Sequence, residues 1–197
     1  MTTVLISYDY RCPFAKIMHM HVLGAQRAGL DLNIVFSPWT MSQGHRDNPL
    51  LDVWDDPSKM NELCALAASA SVRDTQPAHF ATVHEALFRA RHERFIRLAT
   101  WVEVAQILEE VGVDVDLVAK DMATGRPLGV LRDTFRHFET LEAFGVPTFV
   151  INGDATFVRY MDAPTSDESS RDLIESLVAL MTTRPALNEF KHTRLPN

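Results

Sequence analysis

The sequence predicts an α/β chain that opens with a β-α-β unit, passes through a helical middle and closes with β-β-α. Three observations predict it. Val4-Leu5-Ile6-Ser7-Tyr8 and Leu32-Asn33-Ile34-Val35-Phe36 are short strand-forming runs, separated by a segment whose apolar residues recur at steps of three and four. Further segments with that helical spacing fill residues 58–144. Thr148-Phe149-Val150-Ile151 and Thr156-Phe157-Val158 then flank Asn152-Gly153, the dipeptide that best accepts the positive φ angles of a tight hairpin turn, before a last helical pattern.

Each element has a local reason. In the first helix Phe14, Ile17, Met18, His21 or Val22, Ala25 and Ala28 share a face, and Pro13 suits the first helical position, where a missing N–H costs nothing. Gly29 ends it, and Pro38 stops the second, parallel strand. Residues 39–57 are a loop anchored by Trp39 and Trp54. A helix with a serine cap is expected over 58–69, and another opens at Pro77 with Phe80, Val83, His84, Leu87 and Ala90 on one face. Thr100-Trp101-Val102-Glu103 has the form of a capping box, and its helix runs to Gly112. Helices over 116–122 and 128–144 follow, the latter ending at Gly145. Thr165-Ser166-Asp167-Glu168 is a second capping-box pattern, and Pro185 stops the closing helix, leaving a tail that carries Phe190.

Composition narrows the function. A chain of 197 residues with 46% apolar and 23% charged residues is an ordinary globule with a sizeable core. A net charge of −7 argues against nucleic acid or an anionic membrane as main partner. No apolar run approaches the roughly 18 residues of a membrane span. Strand pattern begins at Val4, which leaves no room for a signal peptide, and two cysteines make no disulfide framework, so the expected address is the cytoplasm.

The chemistry-bearing feature is Cys12-Pro13-Phe14-Ala15. It puts one thiol at the start of a helix, where unpaired backbone N–H groups and the positive end of the helix dipole stabilise thiolate over thiol. A second cysteine at position 15 would allow a local disulfide. Ala15 excludes that ring.

Tyr8-Asp9-Tyr10-Arg11-Cys12-Pro13-Phe14, His84-Glu85-Ala86-Leu87-Phe88-Arg89-Ala90 and Gly145-Val146-Pro147-Thr148-Phe149-Val150, in that order, resemble the DsbA-like branch of the thioredoxin fold over nearly the whole chain. That branch holds FrnE-type oxidoreductases, 2-hydroxychromene-2-carboxylate isomerases and kappa-class glutathione transferases. The resemblance implies a thioredoxin fold (βαβ…ββα) with an all-helical insertion between its two halves. Residues 1–38 and 126–184 would form the thioredoxin-like domain, 39–125 the mostly helical insertion and 185–197 a C-terminal tail. It also implies a cis peptide at Val146-Pro147, in a loop that lies against the cysteine and pairs its backbone with the substrate. Carried over, Cys12 is the attacking sulfur, Pro13 and Phe14 shape the pocket rim, and Val146, Pro147 and Thr148 receive the partner.

Arg11, Lys16 and Arg159 either raise the potential near the sulfur or hold the carboxylates of a small thiol, or they are solvated surface charges. Arg11 is taken as thiol-binding. The position of Ser166 and Asp167 at the last helix start resembles that where thiol-binding transferases of this fold grip a γ-glutamyl group, and a helix cap accounts for them equally well. Cys64, among Leu63, Ala65, Leu66 and Ala67, reads as a core cysteine, and His84 as a satisfied buried histidine. His19 and His21 do not face one another, and no metal is expected.

The function expected from the resemblance is a DsbA-like thiol–disulfide oxidoreductase working through one cysteine. A low-molecular-weight thiol, glutathione- or mycothiol-like, would serve as cofactor and resolving partner. The alternatives are a thiol-dependent transferase or isomerase, in which Cys12 orients a bound thiol, and a non-catalytic binding protein of the same fold. Partners would be a small thiol or disulfide, with a homodimer left open.

Overall fold

The computed structural model describes residues 2–189, 191 and 192, so Phe190 of the expected tail lies outside the described residues. A four-stranded sheet has the order β2-β1-β3-β4. β1 (Thr3–Tyr8) is parallel to β2 (Asn33–Pro38), with Val4 opposite Ile34 and Ile6 opposite Phe36. On its other edge β1 is antiparallel to β3 (Thr148–Ile151), with Ile6 opposite Phe149, and β3 turns back into β4 (Asp154–Phe157). Asn152 and Gly153 take φ of 54° and 91°, the left-handed pair that this hairpin requires.

α1 (Pro13–Arg27) packs lengthwise on α8 (Asp167–Thr183). Gly24 makes the approach possible: a Cβ there would lie 2.9 Å from an Asp167 oxygen and 3.1 Å from Ser170 Oγ. Between the sheet halves come α2 (Met41–Gly44), α3 (Met60–Thr75), α4 (Phe80–His92), α5 (Trp101–Glu110), α6 (Val115–Ala123) and α7 (Arg126–Thr140). α3 is the hub, touching α4, α5, α6 and α7. Most of its buried residues are small (Ala65, Ala67, Ala68, Ser69, Ala70 and Ser71, beside Leu63, Leu66 and Val72), which lets neighbouring helices approach closely. α7 also lies against β2, and its Phe135 stacks on Trp39 and meets Trp54 edge-on, which tethers the loop after β2.

Several boundaries differ from the sequence expectation. β2 continues through Pro38, whose missing N–H a strand end tolerates. Met41–Gly44 is helical within the expected loop. Asp56, not a serine, caps the single turn that leads into α3, and α3 runs on to Thr75. α7 stops at Thr140 rather than near Gly145, because Glu142 takes the left-handed conformation at φ 56° and turns the chain back toward β3. Phe144, counted as helical, is 68% exposed. The closing helix uses a box of Ser166 and Ser169 in place of Thr165 and Glu168. The Thr100/Glu103 box is formed as expected. Among the described residues no helix is long and apolar enough to cross a membrane.

Candidate active site around Cys12

The β1–α1 connection is a tight turn in which the Cys12 N–H donates to the Asp9 carbonyl at 3.0 Å. Cys12 then occupies the N-cap of α1, with Pro13 in the first turn. Its sulfur accepts from the Ala15 N–H at 3.4 Å and its S–H donates to the Val146 carbonyl at 3.5 Å. The Val146–Pro147 peptide is cis. The loop it belongs to is pinned from both sides. Thr148 N–H donates to Ser7 Oγ of β1 at 2.8 Å, and Val158 N–H donates to the Pro147 carbonyl at 3.1 Å.

The structure thus brings together Cys12, Val146, Pro147 and Thr148, all buried, with half-buried Phe14 and exposed Pro13 at the edge. Arg11 is held by two carboxylates. Its guanidinium and backbone N–H donate to the 1%-exposed Asp9 at 2.7–3.1 Å, and it donates to Glu62 at 2.6 Å. Met41 N–H completes the Asp9 carboxylate at 2.9 Å. Lys16 pairs with Glu93 at 2.7 Å. Arg159 instead lies over the Phe14 ring, 4.8 Å from its centroid. Asp167 receives a two-point ion pair from Arg27 at 2.8 and 2.9 Å while Ser166 caps α8, so both are engaged within the protein.

The expectation of a stabilised thiolate is corrected by burial. Cys12 is only 6% exposed, and removal from water pushes its thiol above the ordinary value. The Ala15 and Phe14 N–H groups do favour the thiolate, as the helix start implies, but they do not offset the desolvation. The negative charge of Asp9 adds to the rise and Arg159 opposes it. Cys64 is pushed up further, to about 11, by burial and by Glu103. It lines an apolar cavity of about 290 Å³ with Leu63, Ala67, Trp101, Met122 and Leu128. Both cysteines are free.

Behind the site lies a buried polar chain that the sequence reading missed. Ser7's carbonyl can only accept, so His19 Nε2, 3.0 Å away, carries its proton and donates. His19 Nδ1 must then accept, at 2.9 Å, from His84 Nε2–H. His84 Nδ1 in turn accepts from the Tyr10 hydroxyl at 2.9 Å. Every link has one donor and one acceptor when both imidazoles are neutral. Burial keeps them so, driving His19 down to about 4 and His84 well below its ordinary value. His92 Nε2 also donates to the Tyr10 carbonyl at 2.8 Å, so α4 grips the residue two places before Cys12 from both ends. The one local hint was that His84 shares a face with Phe80, Leu87 and Phe88; its partners are 65 and 74 positions away. Among the described residues no three His, Cys, Asp or Glu side chains converge as a metal site.

A cysteine capping the first helix of a β-α-β unit, set against a proline loop that enters a hairpin, with a helical insertion between, defines a thioredoxin-type protein. The sequence profile of the DSBA-like thioredoxin domain matches residues 3–170, and the chain belongs to that family. Among solved structures it is similar to the cytosolic disulfide reductase DsbM from Pseudomonas aeruginosa with GSH, at 16% identity, over 90% of this chain and 100% of that one, with a TM-score of 0.63. It is also similar to Pseudomonas aeruginosa DsbA, at 20% identity over 95% and 86% of the two chains with a TM-score of 0.61. A thioredoxin-like oxidoreductase from Silicibacter pomeroyi DSS-3 shares 19% identity over 90% and 86%, with a TM-score of 0.59. At these identities the likeness is one of fold. Comparison with curated proteins finds no match.

Proposed function

We propose that this DsbA-like protein carries out thiol–disulfide exchange through Cys12 alone, with a low-molecular-weight thiol of the glutathione type as its partner. The observation that carries the reading is the 3.5 Å contact between the Cys12 sulfur and the Val146 carbonyl, at a helix start that lacks a second cysteine. Cys12 loses its proton to solvent, attacks one sulfur of a small disulfide, and the other half leaves as a thiolate. A free thiolate from solution then attacks the mixed disulfide, forms a new disulfide with the bound half and returns Cys12 as thiolate, so no external oxidant is consumed. Loss of the S–H also frees the Val146 carbonyl, which can then accept an N–H from the attached molecule. The Tyr8–Phe14, His84–Ala90 and Gly145–Val150 stretches support placing the chain near the FrnE-type and kappa-transferase branch. Two unbonded thiols fit a cytosolic address.

The S–H donated to Val146 supports a second reading, in which Cys12 stays a thiol and orients a bound thiolate for transfer or isomerisation. Mass spectrometry after incubation with glutathione disulfide separates the two. Exchange predicts one glutathionyl group on Cys12, retained in Cys64→Ala and lost in Cys12→Ser, with all turnover lost in the latter. Because burial raises the thiol, the labelling rate should climb about tenfold per pH unit past the range where an exposed cysteine levels off. Absence of any Cys12 adduct, even in alkali, would remove the exchange reading. Activity surviving in Cys12→Ser would favour the second.

A further inference from the structure

The geometry points to Arg159 as the residue that selects an anionic thiol: we propose that it binds a carboxylate of the molecule attached at Cys12, so that the partner is a carboxylate-bearing thiol rather than a neutral, sugar-based one. This deepens the exchange reading above and rests on it. Four observations carry it. Val158 N–H donates to the Pro147 carbonyl at 3.1 Å, which fixes the backbone just before Arg159 against the loop that faces Cys12. The guanidinium then lies over Phe14, two residues after Cys12, at 4.8 Å, and over Phe157 at 5.7 Å. Stacking uses the faces of a guanidinium and leaves its N–H edges for a ligand. Finally, no carboxylate pairs with Arg159 among the described residues, whereas the cations flanking the sulfur in sequence, Arg11 and Lys16, are committed to Asp9, Glu62 and Glu93.

Aromatic surface continues beside it. Phe157 meets Phe144 at 5.1 Å, and Gly145 lies beside the Phe157 ring. A partner with an apolar stem and a terminal carboxylate would lie along Phe14 and Phe157, with its sulfur at Cys12 and its charge on Arg159.

The test compares mixed-disulfide formation at Cys12 with glutathione disulfide (anionic), 2-hydroxyethyl disulfide (neutral) and cystamine (cationic). Arg159→Gln should cut the anionic-to-neutral rate ratio about tenfold, the order expected for a lost charge-assisted hydrogen bond. It should raise the cationic-to-neutral ratio, and Arg159→Lys should restore part of the anionic preference. Ratios cancel any change in thiolate fraction, so equal slowing of all three probes would overturn the assignment. S-methylglutathione, which cannot form a disulfide, provides a second measurement on Cys12→Ser. Binding weakened about tenfold by Arg159→Gln supports the anion site, and unchanged binding, or none in either variant, overturns it. If no probe labels Cys12 at all, the exchange reading falls, and the S-methylglutathione result still decides the role of Arg159.

Discussion

Acidification from about pH 7 to about pH 5 is expected to remove roughly 2 kcal/mol of folding stability through His19, with a further loss through His84, well before most carboxylates protonate. The cause is the neutral histidine pair behind the site. In the unfolded chain His19 and His84 take up protons below their ordinary value of 6.5, whereas in the folded chain burial holds His19 down to about 4 and His84 well below its ordinary value. Their contribution is therefore fully present above that unfolded value and is lost as pH falls toward the folded ones. Each histidine costs about 1.4 kcal/mol per pH unit within that window. The neighbouring phenols do not enter the balance, since burial pushes Tyr8 up to about 12 and Tyr10 well above its ordinary value. Protonation of His19 would break the chain, because its Nδ1 could no longer accept from His84. Urea midpoints measured across this range test the claim. His84→Phe should lower stability at every pH, yet flatten its acid dependence by about one proton. A wild-type curve flat down to pH 5 would mean that the pair is not held neutral.

Asp9→Ala is expected to destabilise the fold by about 3 kcal/mol, the scale for removing one member of a buried, hydrogen-bonded ion pair. Asp9 is 1% exposed and receives Arg11 through three N–H donors and Met41 through its backbone N–H. These bonds join the β1–α1 turn to the segment after β2. Truncation leaves the Met41 N–H without its acceptor and a partly buried guanidinium with only Glu62. The same change acts on the sulfur with a defined sign. Asp9 raises the Cys12 thiol, so its removal should make Cys12 more acidic and speed its alkylation at neutral pH. Thermal melts give the first quantity and iodoacetamide kinetics the second. A variant that is less stable but no faster to alkylate would separate the structural role of Asp9 from its electrostatic one.

Local signals carried much of the architecture. Period-two and three-to-four spacing place the strands and helices, and Thr100 with Glu103 or Asn152 with Gly153 act through neighbours a few residues away. A local motif of that kind also names Cys12, whereas the loop of Val146, Pro147 and Thr148 is expected from the family resemblance. The errors fall where distant packing overrides a local preference. α7 stops at Thr140 because the chain must turn into β3, although apolar spacing continues to Phe144.

The linear chain by itself determined the order of the main strands and helices, the Thr100/Glu103 cap, the Asn152-Gly153 turn and the single thiol at a helix start, because each depends on contacts within about one helical turn or hairpin. Tertiary structure alone decided how that thiol behaves. Desolvation, the partners of His19, His84 and Tyr10, the capture of Arg11 by Asp9 and Glu62, and the placement of Arg159 over Phe14 all depend on groups distant in sequence. Electrostatic character is set by surrounding atoms and excluded water, and neither is written in local order.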